Sequence, residues 1–556
     1  MKKQNILLSL LVVACLTGCG SGQGGNGSSK QNNDKSKIVI EDFGTLKMEA
    51  EDFNLSGWEA DESYDDNIIE EANASGGKYV AAAASGSAAE ATFSIELKKF
   101  SKVTISVAYA QMDGHLDAAI DMSKVYHWDI ENISPLAFAQ GKNTLPARSN
   151  ANVWDLMPYQ AQEMYPNTYK VTLTVEDDAP EFLASIDYIQ IKTTDASIVP
   201  PDPSKVTEDD IPDNDMRNLQ QYKYLLDEDV LTYKTYATGA DLSAPRGMKL
   251  KYDELEDASK YYFQVAESED ALANAQVKES ANKYYMFQNA KLDTKYYYRA
   301  ATSEAGLDSA EVKNITSTDV APRVIYVPNV LNFRDIGGWE SSLVPGAKIN
   351  QGMYYRCAQL NGSGSASSLD KNGEGLAAIK ELGLKVDIDM RDSYNVPTAS
   401  PANTADWPIT LVKASVPSGS EPVRWEGGTY QSTNIADQYK TIFNALAKCD
   451  TEPAFLHCTY GADRTGIVTF FLESLLGMSQ EDMTRDYLWT QFTQGRSVKI
   501  DKAEGAEFPN WIEKTQACEG STFADKMETH LMEFGIEKST LEHIREIFVP
   551  GYVAKA

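Results

Sequence analysis

At 556 residues the chain is too long for one compact core and should divide into roughly three or four domains. Its 81 Asp and Glu outweigh 51 Lys and Arg, and the net charge of -30 repels nucleic acid and anionic surfaces, so no nucleic-acid partner is expected. The hydrophobic share of 42% is ample for packed cores, whereas six cysteines, none in a Cys-x-x-Cys or Cys/His zinc spacing, supply neither a disulfide framework nor a structural zinc.

Lys2 and Lys3 precede an apolar run from Ile6 to Leu16, the pattern of an export signal too short to span a bilayer comfortably. The run ends in Leu16-Thr17-Gly18-Cys19, which resembles the lipobox of bacterial lipoproteins. That resemblance implies cleavage after residue 18 and acylation of Cys19, leaving the mature protein tethered outside the cytoplasm on a bacterial membrane, on its periplasmic side or at the cell surface. Residues 19–37, rich in Gly, Ser and polar side chains, read as a flexible tether.

From 38 to 195 short alternating runs, such as Ala91 to Leu97 and Val103 to Val107, predict an all-β sandwich. The Pro-rich acidic stretch 196–215 reads as a linker. Residues 216–320 again alternate, as in Tyr261 to Val265 and Lys295 to Ala300, and predict a second sandwich, read as a spacer. From 321 to 553 apolar strands such as Leu384 to Met390 alternate with helical stretches. These are Thr465 to Leu476 ending at Gly477, a helix capped by Ser479 and Asp482, and Ser539 to Phe548. This last part predicts an α/β domain with a central sheet flanked by helices.

Met48-Glu49-Ala50-Glu51-Asp52-Phe53, Ala74 to Val80 and Ile186 to Ile191 together resemble the galactose-binding-like sandwiches of carbohydrate-binding modules. The resemblance implies a structural calcium with Glu49, Glu51 and Asp187 as candidate ligands, and a glycan partner. Trp58, Trp128, Trp154 and Tyr126 are candidates to stack on sugars, though sandwich aromatics more often pack the core. Leu292 to Tyr296 and Tyr298 resemble the tyrosine-corner region of fibronectin type III domains.

The chemistry-bearing segment is Phe455-Leu456-His457-Cys458-Thr459-Tyr460-Gly461-Ala462-Asp463-Arg464-Thr465-Gly466, between an apolar strand and a helix. A Cys and an Arg flanking five residues at a helix N-terminus can enclose a phosphate: backbone N–H groups form a nest and the guanidinium grips two oxygens. The same field favours the thiolate of Cys458.

These residues resemble the signature loop of cysteine-dependent protein tyrosine phosphatases, and Asp463-Arg464-Thr465-Gly466 looks like the bacterial tyrosine phosphatase family 3 type. Asn332 to Gly338, Tyr355-Arg356, Asp387 to Arg391 and Leu475 to Ser479 agree in the family's order. The resemblance implies hydrolysis of phosphomonoesters without a catalytic cofactor, on a phosphorylated protein or a small substrate. Cys458 is then the nucleophile, and Arg464 stabilises charge with the loop residues Thr459, Tyr460, Gly461, Ala462 and Gly466. Thr465 bonds the departing thiolate, Asp463 serves as acid and base, and His457 organises the loop and depresses the Cys458 pKa. Asp406-Trp407-Pro408 invites comparison with the Trp-Pro-Asp acid loop of larger relatives, but its reversed order fits a plain turn better. Arg334, Asp335, Asp389 and Arg391 are supporting candidates, for which structural salt bridges are an equal reading.

Where many relatives carry Lys and Ala, this chain has Ala462 and Tyr460, which weakens a multiply phosphorylated lipid or inositol as substrate. Phosphotyrosine is the first expectation. An inositol phosphate or phosphorylated sugar, and a glycan-binding lipoprotein with an inactive phosphatase domain, stand as alternatives.

Overall fold

The computed structural model describes residues 35–554 except 57–67, 72–73, 82–88, 112–118, 132, 134, 140–141, 146, 148–153, 176–183, 197–201, 228–229, 345, 363–366, 371–372, 393–394, 419–420, 494–497 and 499–505. The export signal, Cys19, most of the tether and Trp58 lie outside the described residues. No described helix is long and apolar enough to cross a membrane.

The first module stacks two sheets. In one, β1 (Ala89–Leu97) pairs with the later Asn167–Val175; in the other, β2 (Ser101–Gln111) pairs with Ala184–Asp195, both antiparallel. Side chains of β1 alternate between buried and half-exposed, because one face meets the opposite sheet and the other meets solvent. Phe53, Phe93 and Trp128 pack together between the sheets. Trp128 and Tyr126 are buried core residues, and Trp154 packs on Tyr79. Of the two readings open for Trp128 and Tyr126, the structure gives core packing, since neither presents a ring to solvent.

The second module begins with α1 (Leu219–Leu226), capped by Asn218 accepting from Gln221 N. A two-stranded sheet then faces a four-stranded one whose centre is β3 (Tyr261–Ala266) and β4 (Lys295–Ala301). Tyr296 Oη accepts from Lys291 N at 2.8 Å, closing the corner before β4. This module is not a detached spacer: Tyr224, Phe263 and Tyr296 belong to one buried cluster with Trp489 and Phe492 of the third module. Alternating patterns reveal a strand's buried face but not which neighbour covers it.

In the third module β5 (Arg334–Asp335), β6 (Tyr354–Cys357), β7 (Val386–Asp389), β8 (Thr410–Lys413) and β9 (Ala454–His457) build the central sheet. β9 lies between β6 and β7, parallel to both, with His457 level with Cys357 and Asp389. All of β9 is buried, as expected for a central parallel strand covered on both faces. β9 runs through the loop into α2 (Asp463–Leu475), nearly every residue of which is buried. α3 (Gln480–Trp489) follows after Gly477, whose φ of +75° ends α2. Ser479 caps α3 by accepting from Asp482 N. α4 (Phe523–Glu533) packs against α2, and α5 (Lys538–Phe548) closes the module.

Candidate active site

The loop from Cys458 to Ala462 lies where the C-terminal end of β9 meets the N-terminus of α2, the place where parallel sheets present ligands. Its carbonyl groups are held from outside. His457 Nδ1 meets Cys458 O at 3.1 Å, and Gln359 N donates to Thr459 O at 3.2 Å. Asn332 Nδ2 donates to Tyr460 O and Gly461 O at 3.2 and 3.1 Å, and Arg356 Nη2 donates to Gly461 O at 3.0 Å. In a trans peptide the N–H points opposite to the C=O of the same unit. Fixing these four carbonyls outward therefore turns the N–H groups of Thr459, Tyr460, Gly461 and Ala462 to the other side, into an anion-binding nest.

Gly461 is required by two constraints. Its φ is +67°, and a Cβ there would lie 2.3 Å from Cys357 O. Gly466 lets Tyr487 and Arg356 approach α2 closely, since a Cβ would stand 3.2 Å from the Tyr487 ring. Ala462 is buried, whereas Tyr460 is 43% exposed.

Cys458 is 3% exposed at the start of the loop. Burial opposes its ionisation, but the Arg464 charge and the Thr465 hydroxyl and N–H outweigh burial, so the thiol lies below its ordinary pKa. The Thr465 hydroxyl is buried and acts on the Cys458 sulfur to favour its ionised form. Arg464 Nη2 donates to Thr459 Oγ1 at 3.2 Å, and Nη1 reaches Val416 O at 3.2 Å, so the guanidinium is aimed across the loop.

His457 points to the other side of the sheet. Its Nε2 meets Asp387 Oδ1 at 3.1 Å, and although burial disfavours its charge, Asp387 and Asp389 hold its pKa above the ordinary value. Its contacts with the Asp387 carboxylate and with Cys458 O suit a loop organiser; the groups that depress the Cys458 pKa are Arg464 and Thr465. Asp389 forms an ion pair with Arg391, which also donates to Gln359 Oε1 and Asn361 Oδ1 at 3.1 and 2.6 Å. Arg391 thus braces the rim and reaches the loop only through Gln359. Asp335 pairs with Arg323 and accepts from Gly337 N and Gly352 N, without touching the loop. Arg334 acts on the loop through Asn332, donating to its Oδ1 at 2.5 Å.

Asp463 opens α2, half-buried, and its charge works against the neighbouring Cys458 thiolate. Asp406 precedes β8 at the opposite end of the parallel sheet, is 75% exposed in its side chain and pairs with Lys380 at 2.6 Å. The reversed Asp-Trp-Pro is a turn remote from the loop. Cys357 shares a cluster with Phe455 on one side of the sheet, while Cys458 joins the cluster of Leu456 on the other.

Sequence reasoning missed four side chains here, Asp392, Asp486, Asn332 and Arg356. Asp392 Oδ2 lies 3.7 Å from Arg464 Nη1. Asp486 on α3 binds both Arg334 and Arg356, and Asn332 holds two loop carbonyls. Asn332 and Arg356 sat inside motifs read only as landmarks, whereas Asp486 resembles any acid on an amphipathic helix.

In the sandwich, Asp187 Oδ1 accepts from Ser75 N at 2.8 Å and Glu49 Oε1 accepts from Ser75 Oγ at 3.0 Å, with Glu51 beside them across Gly76. Glu49 Oε2 and Glu51 Oε2 are buried without hydrogen-bond partners. Burial pushes the Asp187 carboxyl up to about 7, and burial followed by the Glu49 charge raises that of Glu51. Among the described residues no group of three or more His, Cys, Asp or Glu is gathered closely enough to hold a metal as the side chains stand.

This loop-and-sheet arrangement coincides with a family match: residues 325–548 fit the family model described as tyrosine phosphatase family. The C-terminal region thus carries a tyrosine phosphatase family domain. A curated tyrosine-protein phosphatase of Nostoc commune is 27% identical over 143 residues, covering 22% of this chain and 47% of that protein. The match therefore spans about half the length of that curated relative. Similar solved structures include the CBM35 of Cellvibrio japonicus Abf62, 14% identical, covering 26% of this chain and 91% of that one, with a TM-score of 0.18. The C-terminal CBM6 of LamC from Zobellia galactanivorans is 18% identical, covers 27% of this chain and 98% of that one, and has a TM-score of 0.17.

Proposed function

We propose that the chain is an exported, lipid-anchored phosphatase that hydrolyses phosphomonoesters, phosphotyrosine first among them, through a phosphocysteine intermediate. The observation that carries this reading is a Cys458 thiol of lowered pKa beside Arg464, at the start of a loop with four successive carbonyls held outward. The Cys458 thiolate attacks phosphorus, the bond to the leaving oxygen breaks, and Asp463 gives that oxygen a proton. Water then attacks phosphorus while Asp463 takes its proton, and the sulfur leaves as a thiolate received by the Thr465 hydroxyl and N–H. Arg464 and the inward amides hold the charge of both transition states. The depth of Cys458 favours a long aryl ester, and the exposed Tyr460 ring offers such a leaving group a stacking partner.

The export signal and Cys19 support delivery to the outer side of a membrane, with the sandwich directing the enzyme to glycan. Glu49, Glu51 and Asp187 would hold the calcium, whose charge would neutralise the crowded carboxylates; the partnerless oxygens of Glu49 and Glu51 fit such a role.

Hydrolysis of a small aryl phosphate by the full chain in excess chelator tests the reading. Activity is expected to survive chelation and to vanish in Cys458→Ser. A folded wild-type protein without turnover between about pH 4 and 8, the range around the usual carboxylate and thiolate titrations, would overturn it.

A further inference from the structure

Behind the loop, on the side away from the phosphate, lies a fully buried cluster that the chemical steps do not use. Asp486 of α3 accepts from Arg334 Nε at 2.7 Å and from Arg356 Nη1 at 2.6 Å. Arg356 passes its other end to Gly461 O, and Arg334 passes its own to Asn332, whose amide holds Tyr460 O and Gly461 O. Thr490 Oγ1 accepts from Arg334 Nη2 at 3.3 Å. One carboxylate thus orients two guanidinium groups, and these orient the two peptide units whose N–H groups face the anion site.

The cluster also carries charge. Burial opposes the charge of Asp486, but Arg334 and Arg356 outweigh it and keep the carboxyl below its ordinary range. Glu473, beside it on α2, is pushed well above its range, first by burial and then by Asp486. Two guanidinium groups share the one carboxylate of Asp486, and Arg356 directs its free end at the Gly461 carbonyl, polarising the peptide whose N–H, on Ala462, faces the anion site.

We propose that Asn332, Arg334, Arg356 and Asp486 are positioning residues that fix the phosphate-facing amides of Gly461 and Ala462 and set the Arg356 guanidinium behind them. The proposal rests on the phosphatase reading, and its test separates the two. The readouts, on the full chain, are the pH dependence of Cys458 alkylation by iodoacetamide, followed by the mass of the Cys458 peptide, and the inorganic phosphate concentration that protects it.

Two variants are suited. Asn332→Gly removes the amide while tolerating the φ of +57° at this position, and Arg356→Lys keeps the charge but cannot fork between Asp486 and Gly461. Arg323→Lys is the control, since its ion pair with Asp335 is equally buried but does not touch the loop. Asn332→Gly and Arg356→Lys are expected to move the alkylation midpoint to higher pH, to require about tenfold more phosphate for protection and to lower kcat about tenfold or more, as for a displaced oxyanion donor. Arg323→Lys is expected to lower Tm and leave the alkylation midpoint in place. Variants that retain the wild-type midpoint and phosphate protection overturn the proposal, as does failure of both to fold, which would make the cluster part of the fold alone. Absence of both phosphate protection and turnover in the wild type would sink the phosphatase reading instead.

Discussion

Two carboxylates compete for roles around Arg464. Asp463 leads α2, beside the Cys458 thiol, and in the proposed reaction it gives a proton to the leaving oxygen. Asp392 stands 3.7 Å from Arg464 Nη1, also accepts from Ser418 N at 3.4 Å, and occupies the guanidinium's charge where a phosphate would bind. Their substitutions should separate. Asp463→Asn is expected to lower kcat by about 10²–10⁴ for an alkyl phosphate, as loss of a general acid does, and by less for an aryl phosphate whose leaving group needs no proton. Asp392→Asn is expected to lower KM, because it removes an anion that phosphate must displace, with kcat close to the wild type. Steady-state kinetics on the two ester classes checks both, and an equal kcat loss in the two variants would reassign the acid. Cys458 and Arg464 were legible in the sequence because their spacing is itself the geometry of the loop. Asp392 was not, because its meaning depends on β7 lying beside β9, a neighbour relation the linear chain does not contain.

At the scale of elements, α3 joins chemistry to architecture. One side supplies Asp486 to the arginine cluster; the other meets the second module, where Tyr224 of α1 packs on Trp489 and Phe492 with centroids 5.8 and 5.7 Å apart. Arg485 Nη1 donates to Tyr224 O, and Leu242 N donates to Phe492 O at 2.8 Å, so the clamp includes backbone as well as rings. Truncating a buried aromatic costs about 3–5 kcal/mol through lost burial and the cavity left behind. Tyr224→Ala should therefore lower the Tm of the joined second and third modules and reduce kcat, although Tyr224 is far along the chain from Cys458. A thermal melt read beside kcat checks this, and an unchanged kcat in a destabilised variant would show that the clamp does not reach the loop. The helix boundaries were readable because Gly477 and Ser479 act locally through φ and capping. The clamp was not, because alternation in 216–320 announces a buried face without naming what covers it.

For the whole molecule, buried clusters define two folding units: the sandwich with its own core, and a second core shared by the middle and C-terminal modules. They should melt separately, and the sandwich should respond to pH through Asp187. Its carboxyl is pushed from 3.8 to about 7 in the folded state, so between these values the folded chain binds more protons than the unfolded one. Stability then falls as pH rises from about 4 to about 7, and the penalty is fully present above that. Glu51, also raised by burial, adds in the same direction. In chelator the sandwich transition is expected to move to lower temperature across this window, while the shared-core transition does not follow it through these groups. If Glu49, Glu51 and Asp187 take calcium, the cation replaces the proton as the counter-charge, so at pH 7 calcium should restore the sandwich transition to at least its acidic position. Calorimetry of the full chain with and without calcium checks both halves. A transition indifferent to calcium at pH 7, with its acid stabilisation intact, would mean that the sandwich relieves these carboxylates by protonation alone.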